Sequence, residues 1–313
     1  MWRWTKRTVA ALAALAVTAA GAGAAYQWIA TRRDLAANPP PGRLVDVGGH
    51  RLHILCTGAG SPAVVLESGL GGSSADWGFV QPGVAAFTRV CSYDRAGMGY
   101  SDPGPSPRTA RRIALELGQL LDRGGVDGPL VLVGASLGGF TVRVFASERP
   151  ERVVGLVLVD ASHEDQEMEF PRIAPLVPFL STVGVLRVLG MSLGPPAGSL
   201  APSVQAAARA TSYRTAAYHA AADELRHVRD SAAEVKATRR PLTIPLVVVT
   251  GGRGSDAAWR DLQRDQVTLS RQGCQIVAEE SGHVVAVSQP QAVVDAVRTT
   301  VDVARGSKLA PCG

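Results

Sequence analysis

The chain of 313 residues has only four cysteines, Cys56, Cys91, Cys274 and Cys312. They form no Cys-x-x-Cys pair and no Cys/His grouping at metal-ligand spacing, which argues against a zinc site. There is no internal repeat, so solenoid and propeller architectures are excluded. Aromatic residues make up only 5% of the chain, and no basic stripe is interleaved with them. The formal net charge of +5 is an end effect, because Arg3, Lys6, Arg7, Arg32 and Arg33 all precede the first acidic residue, Asp34. Residues 34–313 are therefore near neutral, and nucleic acid is not the expected partner. At 46% hydrophobic and 19% charged, the composition is that of a globular protein, neither disordered nor fibrous.

Those five cations bracket Thr8 to Thr31, 24 residues without a charged side chain. A bilayer span needs roughly 20. Positive charge before the segment keeps the N-terminus in the cytoplasm and sends the remainder across. Ala22 and Ala24 would suit a signal peptidase, whereas Tyr26, Trp28 and the Arg32-Arg33 pair suit the interfacial end of a retained anchor. The expectation is an anchor over 1–33 with an extracytoplasmic remainder, secreted if the segment is cleaved. A linker follows over 34–42, with Pro39-Pro40-Pro41-Gly42 as its stiff part.

From Arg43 the pattern is that of an α/β domain over 43–313. Arg43 to Val47 and His50 to Cys56 alternate like strands around Gly48-Gly49, which reads as a hairpin. Ala63 to Glu67 and Arg89 to Tyr93 are short apolar strands, with the segment Trp77 to Phe87 between them. Thr109 to Asp122 places Ile113, Leu117, Leu120 and Leu121 on one helical face. Leu137 to Ser147 reads as helix, and Val153 to Val159 as a strand covered on both faces. Residues 161–241 interrupt the alternation with helical stretches around Pro202 to Asp230 and are expected to form an inserted cap. Pattern resumes with strand Leu246 to Thr250, helix Ala257 to Ser270, strand Gln275 to Ala278 and helix Pro290 to Ala304. Strands alternating with helices argue for a mainly parallel sheet opened by an antiparallel hairpin.

The most informative run is Val131-Leu132-Val133-Gly134-Ala135-Ser136-Leu137-Gly138-Gly139, an apolar strand that turns at once into a helix through Gly-x-Ser-x-Gly. Such a turn pinches the backbone at the serine and lifts its hydroxyl clear of the sheet. The same residues imitate a dinucleotide-binding turn, with Asp160 near the spacing of a ribose-binding acid. Ser136 in place of the middle glycine, and a strand that is about the fifth of the chain, speak against that reading. Ser136 is thus the expected nucleophile. His283, in Glu280-Ser281-Gly282-His283 after the last strand, is the best-placed base. Asp160 ends one strand and Asp256 lies in the glycine-rich loop after the next. Either could orient the imidazole; Asp160 is preferred because it leaves a rigid strand directly. Ser68-Gly69-Leu70-Gly71-Gly72-Ser73 supplies a second glycine-rich loop, from which the Leu70 amide is expected to join that of Leu137 around a developing oxyanion. Gly69 and His163 are expected to line the pocket.

The hairpin, the Ser68-Gly69-Leu70 turn, Tyr93-Asp94-Arg95-Ala96-Gly97-Met98-Gly99-Tyr100-Ser101-Asp102, the elbow at Gly134 to Gly138, Val159-Asp160 and Ser281-Gly282-His283 together resemble the α/β-hydrolase family from about Arg43 to Ala304. The resemblance implies an eight-stranded, mostly parallel sheet and Ser-His-acid catalysis without metal or cofactor. Two positions depart from the pattern: Ser68 stands where a histidine is frequent, and the usual Gly-x-x-Asp after the seventh strand is missing. Ser136 speaks against the branches with Asp at the elbow. The expected activity is hydrolysis of carboxylic esters, with the apolar stretch Pro171 to Leu189 suggesting a lipophilic small-molecule substrate. An aminopeptidase using Glu164, Asp165, Glu167 and Glu169, a cofactor-free haloperoxidase or lyase, and a non-catalytic binding module are the rivals. Strand order in the resembled fold brings Cys56 near Cys91, a bridge left open, while Cys274–Cys312 is the expected one.

Overall fold

The computed structural model describes residues 2–168 and 173–308. It begins with one long helix, α1 (Trp2–Ala37), which runs four residues past Arg33 into the segment read as linker. Eight strands follow: β1 (Arg43–Asp46), β2 (Arg51–Thr57), β3 (Ala63–Glu67), β4 (Val90–Tyr93), β5 (Leu130–Ala135), β6 (Val153–Val159), β7 (Leu246–Gly251) and β8 (Gly273–Ala278). They form a single sheet in the order β1-β2-β4-β3-β5-β6-β7-β8. The pairs β1–β2 and β2–β4 are antiparallel and every other pair is parallel. This is the α/β-hydrolase sheet.

Between the strands lie α2 (Gln81–Ala85), α3 (Ala110–Arg123) and α4 (Gly138–Glu148). The Thr109 hydroxyl caps α3 by accepting the Arg112 amide. After β6 the described chain is helical until β7: α5 (Val177–Thr182), α6 (Val185–Val188), α7 (Gln205–Thr211), α8 (Thr215–Arg226) and α9 (Val228–Ala237). The periodicity around 202–230 resolves into three of these; α5 and α6 are too short to carry a readable period. Helices α10 (Ala257–Val267), α11 (Val285–Ser288) and α12 (Pro290–Ala304) complete the fold.

Strand β5 shows why the sheet is buried on both faces. Leu130 and Leu132 pack with Leu117, Leu120 and Leu121 of α3 and with Phe140 and Phe145 of α4. Val131 and Val133 face the other way, onto Val293, Val297 and Val301 of α12. Each of these side chains is essentially inaccessible to solvent. A strand clad on both sides reads as a continuous apolar run.

Cys56 and Cys91, register partners on β2 and β4, are joined by a disulfide. The other expected pair includes Cys312, which lies outside the described residues, as does Glu169.

Candidate active site

Ser136 follows directly on β5 and Asp160 on β6, and the strands run in register so that Ala135 faces Val159. Ser136 sits at φ 50°, a left-handed conformation that side chains larger than glycine resist. The flanking glycines are needed for space. A Cβ at Gly134 would come within 2.7 Å of the Gly138 carbonyl oxygen, and one at Gly138 within 2.7 Å of the Glu67 and Ser68 carbonyl oxygens. The turn is held from outside as well, since the Ser136 amide donates to the Val159 carbonyl at 3.2 Å and its carbonyl accepts the Ser162 amide at 2.9 Å.

His283 lies in the loop after β8. That loop packs so closely on β7 that a Cβ at Gly251 would meet the Gly282 carbonyl oxygen at 2.4 Å. The imidazole Nε2 stands 3.0 Å from Ser136 Oγ, and Nδ1 stands 2.6 Å from Asp160 Oδ2. Asp160 is buried. Its other oxygen accepts the Gly251 amide and the Trp259 indole N–H, both at 3.0 Å. With two neutral donors on Oδ1, Oδ2 is left to face the imidazole. Asp256 instead caps α10, accepting the Trp259 amide at 2.7 Å. Of the two acids considered from sequence, the geometry brings Asp160 to His283. Trp259, whose ring also meets His283 edge-on at 6.2 Å, had no signal in the sequence that tied it to the site.

The loop after β3 closes against the serine. A Cβ at Gly69 would lie 2.9 Å from Ser136 Cβ, so glycine there lets the backbone approach the serine. Ser68, in the position where a histidine is frequent, accepts the Trp77 indole N–H at 2.9 Å and donates to the Ser73 carbonyl at 2.8 Å. Arg95 then fixes the loop's peptides. Its Nη1 donates to the Ser68 carbonyl at 2.5 Å and to Glu67 Oε1 at 2.6 Å, and its Nη2 to the Gly69 carbonyl at 2.7 Å. Nε and Nη2 reach both oxygens of Glu224 on α8, at 2.9 and 3.1 Å. All five guanidinium donors are used. Burial pushes the Glu67 carboxyl up, against the pull of Arg95 and Tyr93. Arg95 lies within the motif quoted from the sequence, but its partner Glu224 is 129 residues away, beyond any local spacing.

A cleft of about 280 Å³ opens above these groups, lined by Gly69, Leu70, Trp77, Val159, Pro195, His283 and Val284 among others. Its walls are mainly apolar. His163, expected to line it, does not. It is buried, its Nδ1 accepts the Asp165 amide at 3.0 Å, and its Nε2 therefore donates to Asp265 at 2.8 Å. The neighbouring carboxylates are also engaged. Glu164 is held by Arg143 and Arg239, whose charges keep its carboxyl well below the usual range despite burial. Asp165 is paired with Lys236 at 2.7 Å.

Residues 64–296 match the alpha/beta hydrolase family. An AB hydrolase superfamily protein of Gibberella zeae is 26% identical over 284 residues, 78% of this chain and 87% of that one. The chain spans only 18% and 22% of the length of two other curated relatives that it matches. Among solved structures, a thermophilic esterase from Thermogutta terrifontis has 21% identity and a TM-score of 0.64, covering 84% of this chain and 98% of its own. The enol-lactonase from Burkholderia xenovorans LB400 has 18% identity and a TM-score of 0.61, covering 83% and 100%. At these identities the two structures speak for the fold. The match over 64–296, with the eight-stranded sheet, shows that this chain belongs to the alpha/beta hydrolase family.

Proposed function

We propose that the protein is a serine hydrolase of lipophilic carboxylic esters, held at a membrane by its N-terminal helix with the catalytic domain outside the cytoplasm. The observation that carries this reading is the unbroken run of hydrogen-bond distances from Asp160 through His283 to Ser136 Oγ. A hydroxyl is a weak nucleophile until an adjacent base takes its proton. Here Ser136 Oγ attacks the acyl carbon as His283 Nε2 accepts the proton, and Asp160 holds the ring and stabilises its cation. The carbonyl oxygen, now negative, falls between the amides of Leu137 and Leu70. The Gly69 carbonyl is tied to Arg95, and in a trans peptide the following N–H points the opposite way. That orients the Leu70 amide away from Arg95. The imidazolium then gives its proton to the departing alkoxide, leaving an acyl-enzyme. Water, activated by the same imidazole, releases the acid.

An ester suits the cleft better than a free amine. Its walls are mainly apolar, and two of the four carboxylates considered for an aminopeptidase, Glu164 and Asp165, are already neutralised by arginine and lysine. Export is supported by the Cys56–Cys91 bridge, which belongs to an oxidising compartment, and by the cations ahead of the apolar segment. Helix α1 is long and apolar enough to cross a bilayer.

The test is a fluorophosphonate probe, which reacts only with an activated serine and requires no knowledge of the substrate. Wild-type protein labels and Ser136→Ala does not. Labelling that persists in a folded Ser136→Ala protein overturns the assignment of the nucleophile.

A further inference from the structure

Apolar side chains on the folded domain are not exposed at random. Ile173, Leu176, Phe179, Val188, Leu189 and Met191 are each more than half exposed, all within one stretch that includes α5 and α6. Outside this stretch and α1, only Leu115 among the described large apolar residues passes half exposure. Scattered exposed apolar residues are ordinary, but a concentration of large ones marks a surface that meets something. From Ile173 to Leu200 the one charged residue is Arg187. It does not face water: it donates to Gln27, Asp34 and Thr31 of α1 at 2.8, 2.6 and 3.1 Å.

The position of α1 identifies what the surface meets. Residues 4–19 of α1 are exposed all round. Beyond them Ala20, Gly23, Ala24, Gln27, Ala30, Thr31 and Asp34 form one partly buried or buried face at helical spacing. At Gly23 there is no room for a side chain, since a Cβ would meet the Val183 carbonyl oxygen at 2.2 Å. Val183 and Gly184 join α5 to α6, so this exposed stretch is pinned to the helix at the level of Gly23. From Thr8, the first residue after the leading cations, to Gly23 the helix rises about 23 Å. A hydrocarbon core is about 30 Å thick. If Thr8 lies at its inner edge, Tyr26 and Trp28, the aromatic pair suited to an interface, lie at its outer edge. The α5–α6 junction at the level of Gly23 then lies about 7 Å inside that edge, within the roughly 5–10 Å to which an interfacial face is buried.

We propose that the α5–α6 surface of the cap is a lipid-docking face, lying in the outer interface of the same bilayer that α1 crosses. The inference rests on α1 being a retained membrane span. Interfacial elements bury an apolar face at the headgroup boundary while their polar groups stay out of the hydrocarbon. This face fits that description, its single cation being consumed by α1. The chain that follows it leads directly to the reaction. Leu193 and Leu70 of the loop beside the serine pack against the same cluster of Met98, Ala217, Ala220 and Ala221, and Gly194 and Pro195 line the cleft. A lipophilic ester dissolved in the outer leaflet would thus reach Ser136 along the cap without crossing open water.

The experiment uses the full chain in phosphatidylcholine–phosphatidylglycerol vesicles, with an environment-sensitive fluorophore on a cysteine introduced at one position at a time. Phe179→Cys and Leu189→Cys probe the face. Leu12→Cys probes α1, and Glu151→Cys, exposed just before β6 at the end of that strand opposite Asp160, is the aqueous control. Labels at 179 and 189 are expected to lose most of their emission to a lipid-borne nitroxide and little to iodide in the buffer, while the label at 151 does the reverse. If 179 and 189 behave like 151 while Leu12→Cys is quenched from lipid, the docking face is wrong and the span stands. If the label at 12 is also open to iodide, span and docking face fall together. Protection at 179 and 189 from both quenchers means that another protein surface covers them, and this too overturns the proposal. Fluorophosphonate labelling of the same samples reports Ser136 separately.

Discussion

Ser136 and Asp160 share a backbone conformation that no other described non-glycine residue adopts, at φ 50° and 42°. They follow paired positions of adjacent parallel strands, Ala135 and Val159. Each strand therefore ends in the same abrupt turn, and the two turns are stitched together through the Ser136 and Ser162 amides. Such conformations cost about 1–3 kcal/mol each and persist only where surrounding contacts impose them. Here they aim both side chains at His283 from neighbouring strand ends.

That geometry separates the two acids. Asp160→Asn should lower kcat by roughly 10⁴, because a neutral amide no longer selects the imidazole tautomer that accepts the serine proton. Asp256→Asn should leave turnover nearly unchanged, since its contact is the amide of Trp259 at the start of α10. Steady-state kinetics of the two variants on an aryl ester decide it, and an Asp256→Asn enzyme that is the crippled one would return the acid to the glycine-rich loop.

Arg95 should behave as a positioning residue. Arg95→Lys keeps the charge but cannot hold the Ser68 and Gly69 carbonyls and Glu224 at once. It should lower kcat on the order of 10²-fold, comparable to losing one oxyanion donor, with KM little changed. Arg95→Met should in addition destabilise the fold by about 3–5 kcal/mol, leaving two buried carboxylates without their cation. Thermal unfolding set beside the kcat and KM split tests both, and equal losses in kcat and KM for Arg95→Lys would remove the oxyanion loop from the explanation.

Asp76 gives a pH dependence of opposite sign to that of an ion-paired acid. Burial pushes its carboxyl up to about 7, with Asp94 adding repulsion while the Ser73 amide pulls it down. The folded protein therefore binds the proton more tightly than the unfolded chain. The resulting stabilisation is full below the unfolded value near 4 and is lost as pH rises through about 7. Asp76→Asn can still accept the Ser73 amide and carries no charge, so its unfolding temperature should not show this fall and should exceed the wild type's at alkaline pH. Parallel pH profiles for the two proteins would show that Asp76 is ionised throughout.

The parts of this molecule that were legible in its sequence are those fixed by neighbours along the chain. The turn at Ser136 needs glycine two residues to either side, and the strands β5, β6 and β7 announce themselves as apolar runs because both faces are covered. The acid was open because spacing does not reveal which way a strand-end side chain turns. Only the Gly251 and Trp259 donors on Asp160 Oδ1, supplied by β7 and α10, leave Oδ2 to the histidine. The Arg95–Glu224 contact joins a loop to α8 across 129 residues of sequence. Likewise His163 is a candidate for the pocket by proximity to Asp160 in sequence, yet Asp265, 102 residues on, draws it away. The helix boundary at Ala37 falls inside the segment read as linker because α1 gains partners, α5 and α7, that its own residues do not announce.

The disulfide supplies the last prediction. Cys56 and Cys91 are register partners on antiparallel strands with Cα atoms 4.0 Å apart, and the bond ties the hairpin edge to the parallel part of the sheet. Cys91 is buried and Cys56 only partly so, so removing both sulfurs should act mainly by freeing the unfolded chain. For a sequence separation of 35 residues, chain-entropy reasoning gives about 4 kcal/mol. A double Cys56→Ala, Cys91→Ala variant should therefore unfold at markedly lower denaturant concentration while its folded fraction still labels with the fluorophosphonate probe, because Ser136 follows directly on β5, two strands from β4 in the sheet order. Peptide mapping of the wild-type protein without reduction should recover a peptide joining Cys56 to Cys91. Recovery of both cysteines alkylated, or of Cys56 joined to Cys274, would show that the Cys56–Cys91 bond does not form and would remove the oxidising-compartment argument with it.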